Sequence, residues 1–104
     1  MGREIVASLA GDFAETTQDL LTAISRARTA GDGPAWTRAA HSLKSSAASM
    51  GLARVFDAAR RIELAGEAGD FVTAGPVSDT LPELVDEAVT ALKKRYADIS
   101  AAAD

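Results

Sequence analysis

The hydrophobic positions fall into four runs with helical spacing. In the first, Val6, Leu9, Phe13, Leu20, Ile24 and Ala27 lie three, four or seven residues apart, on one face of a helix that ends near Ala30. Gly31, Asp32, Gly33 and Pro34 then break the pattern; Asp32 or Gly33 suits an N-cap and Pro34 the first helical position. A second helix runs to about Met50, where Gly51 fits the left-handed residue that closes a helix and Leu52 the hydrophobic contact behind it. Leu52, Val55, Phe56, Ala59 and Ile62 form the inner stripe of a third helix, which ends in the Gly66 to Gly69 segment. The last stripe is Leu81, Leu84, Val85, Ala88, Leu92, Tyr96 and Ile99, with Phe71, Ala74 and Val77 extending it backward. Pro76 and Pro82 each cost about 3 kcal/mol inside a regular helix. The start of this segment is therefore expected to kink, or to split into a short helix and a long one. Ala101 to Asp104 are expected to fray.

Four amphipathic segments joined by short connections predict an all-α fold, an antiparallel up-and-down four-helix bundle. With 104 residues the expectation is a single domain over 1–104, large enough to fold without a disulfide or a metal. Only 5% of residues are aromatic, so alanine and other small residues must fill much of the interior. The absence of cysteine excludes thiol nucleophiles and Cys-ligated metal sites. No apolar run approaches a membrane span, and the N-terminus has no basic-then-apolar leader, which leads to the expectation of a soluble, cytoplasmic protein.

The formal charge of −4 argues against binding to nucleic-acid backbones. It also hides a gradient. From Arg26 to Arg61 seven basic residues face two acids, a net +5, which leaves −9 on the rest of the chain. A cationic middle on an acidic body suggests docking of an acidic partner, although a merely solvated face has the same composition.

The second helix carries the candidate chemistry. With His41 at zero and about 100° per residue, Trp36, Ala39, Ala40, Leu43, Ala47 and Met50 fall in an arc opposite the histidine. The only histidine thus points away from the core. Around it lie Thr37 and Arg38 one turn before, Lys44 and Ser45 one turn after, and Ala48 two turns after. Apart from the two cations these neighbours are small, so a macromolecule can approach the ring. Neutral imidazole is a competent nucleophile near pH 7. A phosphoryl group on it would bring negative charge that Lys44 can offset. A metal-binding helix would carry a second ligand four residues on, where Ser45 stands. A serine-hydrolase site would need a Gly-x-Ser-x-Gly turn, and none occurs.

The segment HSLKSSAASMG, His41 to Gly51, resembles the signature of histidine-containing phosphotransfer domains. In that family an Ala-His-x-x-Lys helix is followed by small residues and a glycine ten positions after the histidine. Ala40, His41, Leu43, Lys44, Ala47, Gly51 and Leu52 fit the pattern, as does the Ile62–Glu63 pair on the next helix, and the helix order covers nearly the whole chain. Ser45 stands where glycine is common in the family. The resemblance implies that His41 accepts a phosphoryl group from the phospho-aspartate of one response-regulator receiver domain and passes it to another. Such a protein is a carrier rather than a turnover enzyme. It needs no cofactor of its own, since magnesium belongs to the receiver, and it acts as a monomer. The chain is then either free-standing or a piece of a hybrid sensor histidine kinase.

The blander readings stand beside these. Lys44 and Arg38 are solvated charges unless His41 is phosphorylated or a partner docks. Ser45, Ala48 and Ser49 are either surface filler or the clearance that a receiver needs. Glu63 either hydrogen-bonds the imidazole and orients it or is a surface carboxylate. Leu21 and Ala14 of the first helix are candidates for the docking patch. The alternative to the carrier is a binding-only bundle that docks a receiver without phosphotransfer.

Overall fold

Each of the three chain reversals uses a glycine with φ near +69°, at Gly31, Gly51 and Gly69, a conformation that side chains disfavour. After the second helix, Gly51 N–H donates to the Ala48 carbonyl at 3.2 Å and Leu52 N–H to the Ala47 carbonyl at 2.9 Å. This closes the last turn in the reciprocal pattern of a Schellman cap. Gly31 with Asp32, and Gly69 with Asp70, repeat the same two bonds. In both repeats the aspartate then caps the next helix. Asp32 accepts from Ala35 N–H, and Asp70 from Thr73 N–H, each at 3.1 Å. A Gly-Asp pair therefore both stops one helix and starts the next.

The computed structural model describes the backbone over residues 2–103 and the side chains over 11–95. It contains α1 (Gly2–Ala30), α2 (Gly33–Met50), α3 (Ala53–Glu67) and α4 (Phe71–Ala103). Connections of two or three residues reverse the chain each time, and the contacts run α1 to α2, α2 to α3, α3 to α4 and α4 back to α1. This is the up-and-down four-helix bundle. The core holds Phe13, Ile24, Trp36, Leu43, Val55, Ile62, Leu81 and Val85 with a set of buried alanines. The side chains of Val6, Leu9, Tyr96 and Ile99, expected in the stripes, lie outside the described residues. Among those described, no helix is long and apolar enough to cross a membrane.

Three boundaries differ from expectation. Gly33 takes the first helical position and Pro34 the second, where its missing N–H costs nothing. Of the kink or split expected in the last segment, the split does not occur: α4 runs unbroken from Phe71 with both prolines inside it. Pro76 and Pro82 are exposed, so the carbonyls of Val72 and Ser78 that lose their helical donors lie on the outer face, where water can satisfy them. Trp36, fully buried, stacks on Phe71 with ring centroids 4.5 Å apart, which anchors the start of α4 across the bundle. Finally, the helix continues to Ala103 through most of the tail expected to fray.

α2 and α3 approach closely at Gly66. A Cβ there would clash with Thr37 Oγ1 and lie 3.3 Å from Thr37 Cβ. Gly66→Ala is expected to lower stability by about 1 kcal/mol, overpacking outweighing the gain in helix propensity. Thr37→Ala combined with Gly66→Ala removes the clash and should return to wild-type stability or above. Urea denaturation of both variants checks this; a Gly66→Ala protein as stable as the wild type would contradict the tight approach.

Candidate functional site

α2 buries Trp36, Ala39, Ala40, Leu43 and Ala47, and this stripe turns His41 outward. The His41 side chain is 58% exposed. On the facing helix, Val55, Ala58, Ala59 and Ile62 are buried, and Glu63, one residue past Ile62, turns toward α2. Ala40 and Ala59 are both fully buried; residues this small let the two helix backbones come near enough for a glutamate to span the gap. Glu63 Oε1 lies 2.7 Å from His41 Nδ1, and Glu63 Oε2 lies 2.7 Å from Lys44 Nζ. One carboxylate thus holds both residues of the His-x-x-Lys pair.

The electrostatics follow from these contacts. The Lys44 ammonium holds the Glu63 carboxyl below the usual carboxylate range, burial opposes it, and the hydrogen bond with His41 lowers it further. An ionised carboxylate can only accept hydrogen bonds, so Nδ1 must donate. In the neutral ring the lone pair is then on Nε2. The outward imidazole is therefore held in one orientation, with its free lone pair on Nε2.

The other candidate residues divide by position. Arg38, Ser45, Ala48 and Ser49 are exposed on α2, and Ser49 Oγ donates back to the Ser45 carbonyl at 3.2 Å. Ala48 borders a shallow apolar depression of about 200 Å³ completed by Ala47, Gly51, Leu52, Ala53 and Phe56. Thr37 is half-buried at the α2–α3 seam, its hydroxyl donating to the Gly33 carbonyl at 2.8 Å. It meets Gly66 of α3 and stays partly exposed. Leu21 lines a groove against Ser78, Leu81 and Pro82 of α4, and Ala14, two turns earlier, shares its face. Neither belongs to the His41 surface, because the groove side of α1 faces α4.

The +5 segment is largely compensated internally. Arg28 pairs with Asp79 at 2.6 Å, Arg54 with Glu87 at 2.8 Å and Arg61 with Asp57 at 3.1 Å, besides Lys44 with Glu63. Arg26, Arg38 and Arg60 have no ion pair among the described residues. The larger grooves, on the two sides of α4, do not include His41. Sequence reasoning found Glu63 as a possible partner of the imidazole but missed its bond to Lys44. Nothing local signals that bond, since nineteen positions and a turn separate the two.

Comparison with known families identifies the bundle. The family model described as the Hpt domain matches residues 8–102. The chain belongs to the Hpt family, whose members take part in histidine phosphotransfer in two-component phosphorelays. No curated protein and no solved structure matches it.

Because folding lowers the ionisation range of Glu63, its stabilising effect is present above the ordinary range near pH 4.5 and lost as pH falls through the lowered folded value. Glu63→Gln should therefore be less stable than the wild type at neutral pH, by about 1 kcal/mol at most. The gap should close under acid. Urea midpoints at about pH 7 and about pH 3 measure it; an undiminished gap at the lower pH would assign the loss to packing instead.

Proposed function

We propose that this chain is a phosphorelay carrier in which Nε2 of His41 takes a phosphoryl group from the aspartyl phosphate of one receiver domain and delivers it to the aspartate of another. The observation that carries this reading is the 2.7 Å contact from Glu63 to Nδ1 of an exposed imidazole, which leaves Nε2 as the free nucleophile. In the transfer, the Nε2 lone pair attacks phosphorus, the bond between phosphorus and the aspartyl oxygen breaks, and the receiver's carboxylate leaves with that electron pair. Protein groups have little covalent work beyond this, so catalysis lies in placement and charge.

Lys44 is the cation nearest the incoming group, one turn from His41 on the same helix, and it offsets the added charge. Magnesium enters with the receiver's acidic pocket; the carrier contributes no cofactor. Ser45, Ala48 and Ser49 give clearance around the ring, and the depression beside Ala48 offers apolar contact. Arg38, one turn before His41, and Arg60, one turn before Glu63, flank the site as cations for a receiver's acidic face. Thr37 supports the seam. The chain works in the cytoplasm, as one domain and as a monomer, and carries the group stoichiometrically.

Incubation with a phosphorylated receiver should place acid-labile label on the wild type and none on His41→Gln. Docking without label would instead identify the binding-only bundle, and label on His41→Gln would exclude His41 as acceptor. Electrostatic docking adds a second test. Arg38→Glu should weaken receiver affinity by about tenfold at low salt and by less as salt rises. Arg54→Glu, whose parent arginine is engaged by Glu87 on the α4 side, should leave affinity unchanged. Equal effects of the two reversals would show that net charge, rather than the flanking cations, governs binding.

A further inference from the structure

The two flanks of His41 on α2 are chemically different. At about 100° per residue, Lys44 and Thr37 lie about 60° and 40° to one side of the histidine. That side faces α3, because Lys44 meets Glu63 and Thr37 meets Gly66. Arg38 and Ser45 lie about 60° and 40° to the other side, one turn before the histidine and one turn after it. Nδ1 is turned toward α3 by Glu63, so Nε2, across the ring, opens on the flank that carries Arg38 and Ser45. Lys44 is close to the ring, but its ammonium is committed to Glu63 at 2.7 Å on the Nδ1 side.

We infer that the phosphoryl group on Nε2 is held by Arg38 and Ser45, which donate hydrogen bonds to its oxygens, while Lys44 contributes charge from the other flank. The inference rests on the carrier reading above and adds a phosphoryl-binding pair to it. Both side chains are exposed and have unused donors. Arg38 has no ion pair among the described residues, whereas Arg28, Arg54 and Arg61 are each matched with a carboxylate. Ser45 Oγ has no hydrogen-bond partner among those residues either, although Ser49 on the same helix turns its hydroxyl back to a carbonyl.

The reach of each group suits the task. Helical side chains lean toward the N-terminus, so the Ser45 hydroxyl leans back over the turn that carries His41. Arg38 comes from the turn before, with a long side chain whose planar fork matches two oxygens of a phosphoryl group. Neither residue takes part in the bond changes: each keeps its proton, and the Nε2–phosphorus bond forms and breaks as in the transfer above. A glycine at position 45 would offer clearance alone, and the serine offers clearance with a donor.

A contact that stabilises the phosphorylated carrier changes where exchange with a receiver stops, whereas a docking contact changes only how fast that point is reached. The measurement is therefore the distribution of label between carrier and receiver at equilibrium in dilute solution. Arg38→Ala should shift the equilibrium constant toward the phosphorylated receiver by about tenfold, and Ser45→Ala by about threefold. Arg54→Ala, on the α4 side, should leave it unchanged. In a second arm, protein carrying ¹⁵N-arginine is phosphorylated with phosphoramidate and no receiver is present. The Nε–H resonance of Arg38 should move on phosphorylation, while those of Arg54 and Arg61 stay in place. A stationary Arg38 resonance would overturn the proposal. Slower transfer to an unchanged end point in Arg38→Ala and Ser45→Ala would reduce both residues to docking and overturn it too, as would equal shifts in Arg38→Ala and Arg54→Ala. The phosphoramidate arm needs no receiver, so a chain that receivers never label fails the carrier reading separately.

Discussion

The close approach of α2 to α3 is the constraint on which the site depends. Ala40 on α2 and Ala59 on α3 are fully buried, and Gly66 meets Thr37 at one end of the seam. With larger residues in these places the helices would stand farther apart, and a glutamate on α3 could not reach an imidazole on α2 at 2.7 Å. Alanine in this core is therefore more than a helix former. It sets an interhelical distance, and the distance sets a hydrogen bond. The hydrogen bond in turn decides which ring nitrogen is free.

The remainder of the bundle keeps that seam fixed. Glycine closes each helix, and in two of the three turns the following aspartate opens the next, so the helix ends are defined within one residue. Arg28 with Asp79 and Arg54 with Glu87 tie α1 and α3 to α4. As exposed pairs they add little stability each, but they use cations that would otherwise spread positive charge over faces remote from His41. Among the described residues, Arg38 and Arg60 are the cations near the histidine without an ion pair. The unpaired positive charge is thus narrower than the +5 of the segment suggests.

Most of the fold was legible in the sequence because each element carries its own periodicity and its own stop signal. The outward direction of His41 followed from the Trp36, Ala40, Leu43, Ala47 stripe alone. Of a kink or a split at Pro76 and Pro82, the unbroken α4 excludes the split, since proline's cost depends on which face its freed carbonyl meets, and facing is a tertiary property. Thr37, one turn from His41, is half-buried and meets Gly66 across the seam, a contact that periodicity within one helix does not report. The Glu63–Lys44 contact was invisible for the same reason in reverse. Periodicity reports which side of a helix is buried, but not which polar residues meet across a boundary between two helices.

The nitrogen that carries the phosphoryl group is the point on which Glu63 and His41 depend. After transfer from a phosphorylated receiver to ¹⁵N-histidine-labelled protein, the ³¹P–¹⁵N coupling identifies the bonded ring atom directly. The expected result is coupling to Nε2 of His41, with Nδ1 still bearing its proton. Coupling to Nδ1, or a phosphoryl group on any other residue, would contradict the assignment of Glu63 as the group that holds Nδ1 and leaves Nε2 to react.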